Sequence, residues 1–324
     1  MTRRLRAGIV GAGVFGRVHA RKYASHTDVS LSGIFDLKPE SAQSLAAEFD
    51  TSAFQTFDSL LGEIDVLSIT TPASSHFELC RHALKAGCSV LVEKPIAATS
   101  KEAEELVRLA EELGLVLALG HQERLVLEAL GALQFDEAPI LIKADRHAVR
   151  TGRGVDVPVA HDLLVHDANL VLSIMGGALP AIISAQAGQT GRVDDTITAD
   201  LGFSGGVRVR LSASRAAPAP RREMLIRCPS GDLKIDFLNG TVTGLDGYSS
   251  SILPDPVGLN IDRFIKAVQS GNKANIVSGE EGLSALWLSE MIDAVARSGQ
   301  TWLREPGHAA TSESAESTSS LLVR

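Results

Sequence analysis

Three short clusters in this chain carry residue types and spacings that could do chemistry. The first, Gly11-Ala12-Gly13-Val14-Phe15-Gly16, follows an apolar run from Leu5 to Val10 and opens a helical stretch toward Tyr23. In that setting Gly11 permits a tight turn, Gly13 lets the backbone approach a pyrophosphate, and Gly16 lets the helix pack close to its strand. The first helical amides, from Val14 and Phe15, add to the helix dipole and hold negative phosphates. A second strand, Val29 to Phe35, ends on Asp36, twenty residues beyond Gly16. A carboxylate there accepts from both hydroxyls of an adenosine ribose and repels a 2′-phosphate, so NAD is expected over NADP. Lys38 softens that preference without reversing it.

The second cluster is Glu93-Lys94-Pro95, at the end of an apolar run that reads as a parallel strand. Ligands bind at the carboxyl ends of such strands. A lysine there can donate to a substrate hydroxyl and favour its alkoxide character during oxidation. Pro95 fixes the chain direction behind it. Thr70-Thr71-Pro72 ends another strand and is expected to line the cofactor cleft. His76 starts the next helix, where it either faces that cleft or serves as a cap or packing residue.

The third cluster is Asp162 and His166, four apart within the apolar run Leu163-Leu164-Val165. On a regular helix that spacing puts both on one face. A histidine with an acidic neighbour suits proton exchange near neutrality, since its ordinary pKa is about 6.5. A metal reading of His161, Asp162, His166 and Asp167 is weaker. The two histidines are five apart, poor geometry for one ion on a helix, and no HExxH occurs. No metal is expected.

These clusters need elements to position them. Up to about Gly120 strand and helix alternate, with further strands at Val66 to Thr70, Ser89 to Glu93 and Val116 to Leu119. All are short and apolar, as strands buried on both faces should be. Ser75 with Glu78 and Thr99 with Glu102 read as capping boxes. The pattern is an α/β doubly wound parallel sheet. Past Glu123 the rhythm changes: helices are expected at Leu125 to Leu133 and His161 to Met175. Strands follow at Ile197 to Phe203, Val207 to Ser212, Met224 to Arg227 and Leu233 to Phe237, suggesting a largely antiparallel sheet. Helical patterns at Asn260 to Ser270 and Gly279 to Ser298 close the folded region. The expected division is residues 1–121, residues 122–304, and a tail, residues 305–324, with little to bury and expected to be disordered.

A chain of 324 residues accommodates two cores. Net charge −8 argues against a nucleic-acid partner, which needs a basic face. No apolar stretch is long enough to span a membrane. Three cysteines without metal spacing suit reduced thiols in the cytoplasm.

Several segments together resemble the glucose–fructose oxidoreductase, inositol dehydrogenase and rhizopine-catabolism family (Gfo/Idh/MocA). They are Gly11 to Gly16, Asp65 to His76, Ala86 to Ala97 and Asp162 to Asn169, in the family's order. The resemblance implies a Rossmann NAD-binding domain and a C-terminal α/β domain whose open sheet forms subunit contacts, hence a homodimer or homotetramer. It also implies unusual peptide geometry near Pro95, a nicotinamide-ribose contact for Glu93, and substrate binding with acid–base work for Lys94, Asp162 and His166. His166 would take the proton of a secondary sugar hydroxyl while Lys94 and Asp162 hold and polarise it.

Gly120-His121-Gln122-Glu123-Arg124 resembles one branch of that family, which includes UDP-N-acetylglucosamine 3-dehydrogenases. That branch commonly continues with Phe-Asn-Pro, where this chain has Leu125-Val126-Leu127, and the family usually has Asp at the position of Asn169. Arg146, Arg150 and Arg153 gather basic charge before the histidine helix. Guanidinium groups there, with Arg124, could dock a diphosphate, or form a solvated loop or oligomer contact. The substrate expected is a small sugar or nucleotide sugar. Inositols, an NAD-dependent glycosidase and an NAD-responsive binding protein remain open alternatives.

Overall fold

The computed structural model describes residues 4–133, 135–150, 157–188, 194–246, 248, 251–252 and 255–304. Arg153 and the tail 305–324 lie outside them. The chain forms two compact units.

The first unit holds a six-stranded parallel sheet. Its elements are β1 (Leu5–Val10), α1 (Val14–Ser25), β2 (Val29–Phe35), α2 (Pro39–Glu48), β3 (Ser52–Ala53), α3 (Phe57–Leu61), β4 (Val66–Ile69), α4 (His76–Lys85), β5 (Ser89–Val92), α5 (Ser100–Glu112, from Glu102 onward) and β6 (Leu117–Leu119). Strand order is β3-β2-β1-β4-β5-β6, so the order reverses beside β1. β4 and β5 are buried along their whole length, as their largely apolar sequences require. On one face Ile9, Leu91 and Ala118 pack with Ala20 and Tyr23 of α1.

Each expected parallel strand is present, three of them one residue shorter than read. The capping box expected at Ser75 is not formed. Ser75 precedes α4 without a side-chain cap, because its hydroxyl bonds Thr71 Oγ1 and Pro72 O. Glu102 reaches back to the Ala98 amide, one residue before Thr99.

The second unit contains α6 (Gln122–Ala129, from Glu123 onward), β7 (Leu141–His147), α7 (Val165–Ile174), β8 (Ile182–Ala187), β9 (Thr196–Gly202), β10 (Arg208–Ser214), β11 (Arg221–Cys228), β12 (Gly231–Asp236) and β13 (Thr241–Gly244). After α8 (Pro256–Ser270) and α9 (Gly279–Ser298) comes β14 (Trp302–Leu303). The eight strands run β13-β12-β11-β7-β10-β9-β8-β14, antiparallel throughout except β7 with β10. Alternate residues face inward: Ile142, Ala144, Val209, Leu211, Met224 and Ile226 meet Leu164, Ala168 and Val171, and Leu288 and Ile292 of α9. Residues of the other set are exposed or half-buried, and cross-strand partners there pair by charge, as Arg210 with Asp200 at 2.7 Å.

The expectation that residues 122–304 all belong to the second unit is corrected by the course of the chain. Residues Asp255–Leu283 belong to the first unit, including all of α8 and the first turn of α9. The reason is edge protection: Leu119 N donates to Val277 O at 2.9 Å, and Asn260 Nδ2 donates to Leu119 O at 2.8 Å. The returning segment covers the outer strand β6. Ile261, Phe264 and Ile265 of α8 join the sheet's core.

Candidate active site

In the first unit the strand ends build a dinucleotide seat. Gly11 takes φ +96°, and a Cβ there would stand 2.9 Å from Thr70 backbone. Gly16 is tighter: its Cβ would meet Gly11 O at 2.0 Å. Around Gly13 no atom lies within 4 Å of such a Cβ, leaving room for a ligand. α1 starts here without a side-chain cap, so its first amides stay available. Val14, Phe15 and Leu37 are exposed apolar residues. Asp36 accepts from Ala12 N at 2.7 Å and from Lys38 N at 2.8 Å, which ties the acidic residue to the turn. Thr70 Oγ1 donates to Gly11 O at 2.8 Å. These features fit a dinucleotide.

His76 is buried between two strand-end loops, with Nδ1 2.7 Å from Pro95 O and Nε2 2.9 Å from Thr71 O. Burial pushes its pKa down, against the pull of both carbonyls. A neutral ring donates to one of these two carbonyls, so the polar edge of His76 is spent on the backbone of a strand-end loop. The Lys94–Pro95 peptide is cis, consistent with the geometry the resemblance implies. Glu93 is buried and meets His19 and Gln122.

In the second unit Asp162 and His166 straddle a change of helix type. Ala160–Leu164 forms a π turn and α7 begins only at Val165, whose amide reaches back to Ala160 O. The expected continuous helix from His161 is therefore corrected: the wider turn breaks the 3.6-residue arithmetic between the two side chains. Single π turns of this kind concentrate at functional sites.

One carboxylate beside His166 is Glu123, with Oε2 3.9 Å from Nδ1. Glu123 is itself held by Arg146 through Nη1 at 3.2 Å and Nη2 at 2.5 Å, and by Arg222 at 3.4 Å. Arg146 also binds Asp167 through Nε at 3.0 Å and Nη2 at 2.8 Å. Burial works against the Arg146 charge, but Asp167 and Glu123 outweigh it and raise its pKa above the ordinary value. Spacing could not find this cluster, because its members come from α6, β7, α7 and β11. Arg146 is thus no part of a basic loop; β7 turns it inward. Among the described residues no group of three or more His, Cys, Asp or Glu could hold a metal.

Residues 5–121 match the oxidoreductase family described as having an NAD-binding Rossmann fold, and residues 143–234 match the GFO/IDH/MocA C-terminal domain. The chain belongs to the GFO/IDH/MocA oxidoreductase family. It is 36% identical over 282 residues to UDP-N-acetylglucosamine 3-dehydrogenase of Acidithiobacillus ferrooxidans, covering 82% of this chain and 88% of that protein. The solved structure of that enzyme, GnnA, superimposes with TM-score 0.84 at 32% identity, covering 92% of this chain and 99% of the other. D-glucoside 3-dehydrogenase of Escherichia coli is 37% identical over 128 residues, 38% of this chain and 36% of that one.

This GFO/IDH/MocA chain is an NAD-binding oxidoreductase that acts on CH–OH groups. Of the arginines expected near substrate, Arg124 binds Glu128 at 2.6 Å and Arg150 binds Asp195 at 2.7 Å. Arg153 lies outside the described residues. Cys80, Cys88 and Cys228 are free and buried. No described helix is long and apolar enough to cross a membrane.

Proposed function

We propose that the chain is an NAD-dependent dehydrogenase of a nucleotide sugar, oxidising the C3 hydroxyl of UDP-N-acetylglucosamine. The observation that carries this reading is the 36% identity to a UDP-N-acetylglucosamine 3-dehydrogenase across 88% of its length. Gly11, Gly13, Gly16 and the amides of Val14 and Phe15 hold the diphosphate of the cofactor. Asp36 takes its adenosine ribose, and Glu93, with Thr70, Thr71 and Pro72, the nicotinamide end. Bound NAD supplies the two-electron acceptor.

The chain supplies positioning and proton movement. His166 accepts the hydroxyl proton at Nε2, while Glu123 faces Nδ1 and steadies the ring. Lys94 donates to the same hydroxyl oxygen and stabilises the charge that grows there as the proton leaves. Asp162 orients the sugar. Arg124, Arg150 and Arg153 take the anionic end of the substrate; the Arg150 side chain is 60% exposed despite its bond to Asp195. The enzyme works in the cytoplasm, where its free thiols stay reduced. It assembles as a homodimer or homotetramer through the charged outer face of the second unit's sheet.

The deciding experiment is an NADH-absorbance screen of nucleotide sugars, with free sugars and inositols as controls. UDP-N-acetylglucosamine with NAD should accumulate NADH at the highest kcat/KM. Turnover of an inositol or a free sugar at higher kcat/KM would displace the substrate assignment. Sugar cleavage without net NADH would point instead to a glycosidase.

A further inference from the structure

An unbroken line of hydrogen-bonded groups runs through the interior of the first unit. Tyr23 Oη lies 2.7 Å from Ser68 Oγ, and Ser68 Oγ lies 2.9 Å from His19 Nδ1. His19 Nε2 is 3.3 Å from Glu93 Oε1, and Gln122 Nε2 donates to that same oxygen at 3.1 Å. Tyr23 and Ser68 are wholly buried, and His19 is 1% exposed. In such a setting every polar group must find its partner within the protein.

An ionised carboxylate only accepts, so His19 donates from Nε2 to Glu93. In the neutral ring Nδ1 then accepts from Ser68, which in turn accepts from the Tyr23 hydroxyl. Both bonds to Glu93 fall on Oε1; among the described residues no hydrogen bond reaches Oε2. Gly120 completes the seat, since a Cβ there would stand 2.6 Å from Oε1 and 2.7 Å from the other two carboxyl atoms.

We propose that His19 is a positioning residue. It holds Glu93 from behind by Oε1, so that Oε2 is presented to a ribose hydroxyl of the bound dinucleotide. The line also links α1, whose first turn receives the diphosphate, to the strand end that carries Lys94. The proposal rests on the reading of Glu93 as a cofactor contact. Sequence spacing had no reason to single out His19, which lies on the buried face of α1 among apolar neighbours.

NADH binding, followed by its fluorescence, tests this without recourse to turnover. His19→Gln places an amide donor where Nε2 stands; His19→Asn places its polar atoms where Nδ1 stands. His19→Gln should bind NADH within about threefold of wild type, whereas His19→Asn should bind about tenfold more weakly. In a Glu93→Leu background His19→Asn should cost nothing further, because there is no carboxylate left to orient. Thermal melts run alongside should separate neither isostere from the other.

Equal affinities for the two isosteres overturn the proposal, as do losses that multiply in the double variant. Loss of folding in His19→Asn alone assigns His19 a structural role and also overturns it. If Glu93→Leu binds NADH as wild type does, the cofactor contact and the proposal fall together while the dehydrogenase reading stands. Wild-type protein that binds no NADH removes all three.

Discussion

Arg146 serves two carboxylates at once, and it does so out of water. Removing its charge strips buried Asp167 of its hydrogen-bonded cation and leaves Glu123 the longer contact to Arg222; breaking a buried pair in this way costs on the order of 3–5 kcal/mol. Arg146→Met should therefore lower the melting temperature sharply, as differential scanning calorimetry would show. Arg146→Lys should recover only part of the loss, since a point charge cannot replace a planar fork that bonds in two directions. A lysine variant as stable as wild type would disprove the bidentate account. His166→Ala tests the chemistry rather than the scaffold. Turnover should drop by about 10²–10⁴, while NADH affinity measured by fluorescence stays near wild type; unchanged turnover would end the assignment of His166 as the base. Gly11, Gly13, Gly16 and Asp36 were legible in the sequence because their chemistry is local, one turn and one strand end. Glu123 and Arg146 were not: the folded sheet alone brings β7 and β11 against α6, and no spacing records that.

Among the elements, the turn between β1 and α1 has little slack. Gly16 packs against the carbonyl of Gly11, so an added methyl must push the turn outward. Gly16→Ala should weaken NADH binding by at least about tenfold, because the amides of the first helical turn lose their alignment with the diphosphate. Circular dichroism should remain that of a folded protein, and affinity equal to wild type would show that the turn yields freely. The short exposed β3 offered no apolar run, but the other five strands of the parallel sheet were read with ends within a residue because theirs are largely apolar. β7 was passed over for the opposite reason. Its sequence, with Lys143, Asp145, Arg146 and His147, carries too much charge to look like a strand. Asp145 pairs with Arg221 across the sheet, His147 bonds Ser212, and Arg146 joins the buried cluster, none of which a one-dimensional pattern can foresee. The π turn at Ala160–Leu164 escaped likewise, since its residues have ordinary helical propensities.

At the scale of the whole molecule, acid should be its weakness. Burial lowers the pKa of both His76 and His161 below the ordinary histidine value. The unfolded chain takes up protons at about pH 6.5, where the folded protein still resists them, so unfolding binds protons and stability is lost as pH falls through that range. The melting temperature should decline from pH 7.5 to 5.5. His161→Gln should flatten that decline, because the Nε2 of His161 has no hydrogen-bond partner among the described residues and its ring gains nothing by staying. A decline as steep as wild type would place the acid sensitivity elsewhere.

The return of Asp255–Leu283 to the sheet begun by Leu5 also dictates how the molecule must be born. A nascent chain on the ribosome has all six parallel strands in hand by residue 119, yet β6 lacks the cover that Asn260 and Val277 give it. That raw edge must wait, through the synthesis of nearly the entire second unit, before it is sealed. Excised at residue 121 and grafted onto another gene, the nucleotide-binding half would travel without its own lid to the sheet, which makes it a poor module for recombination.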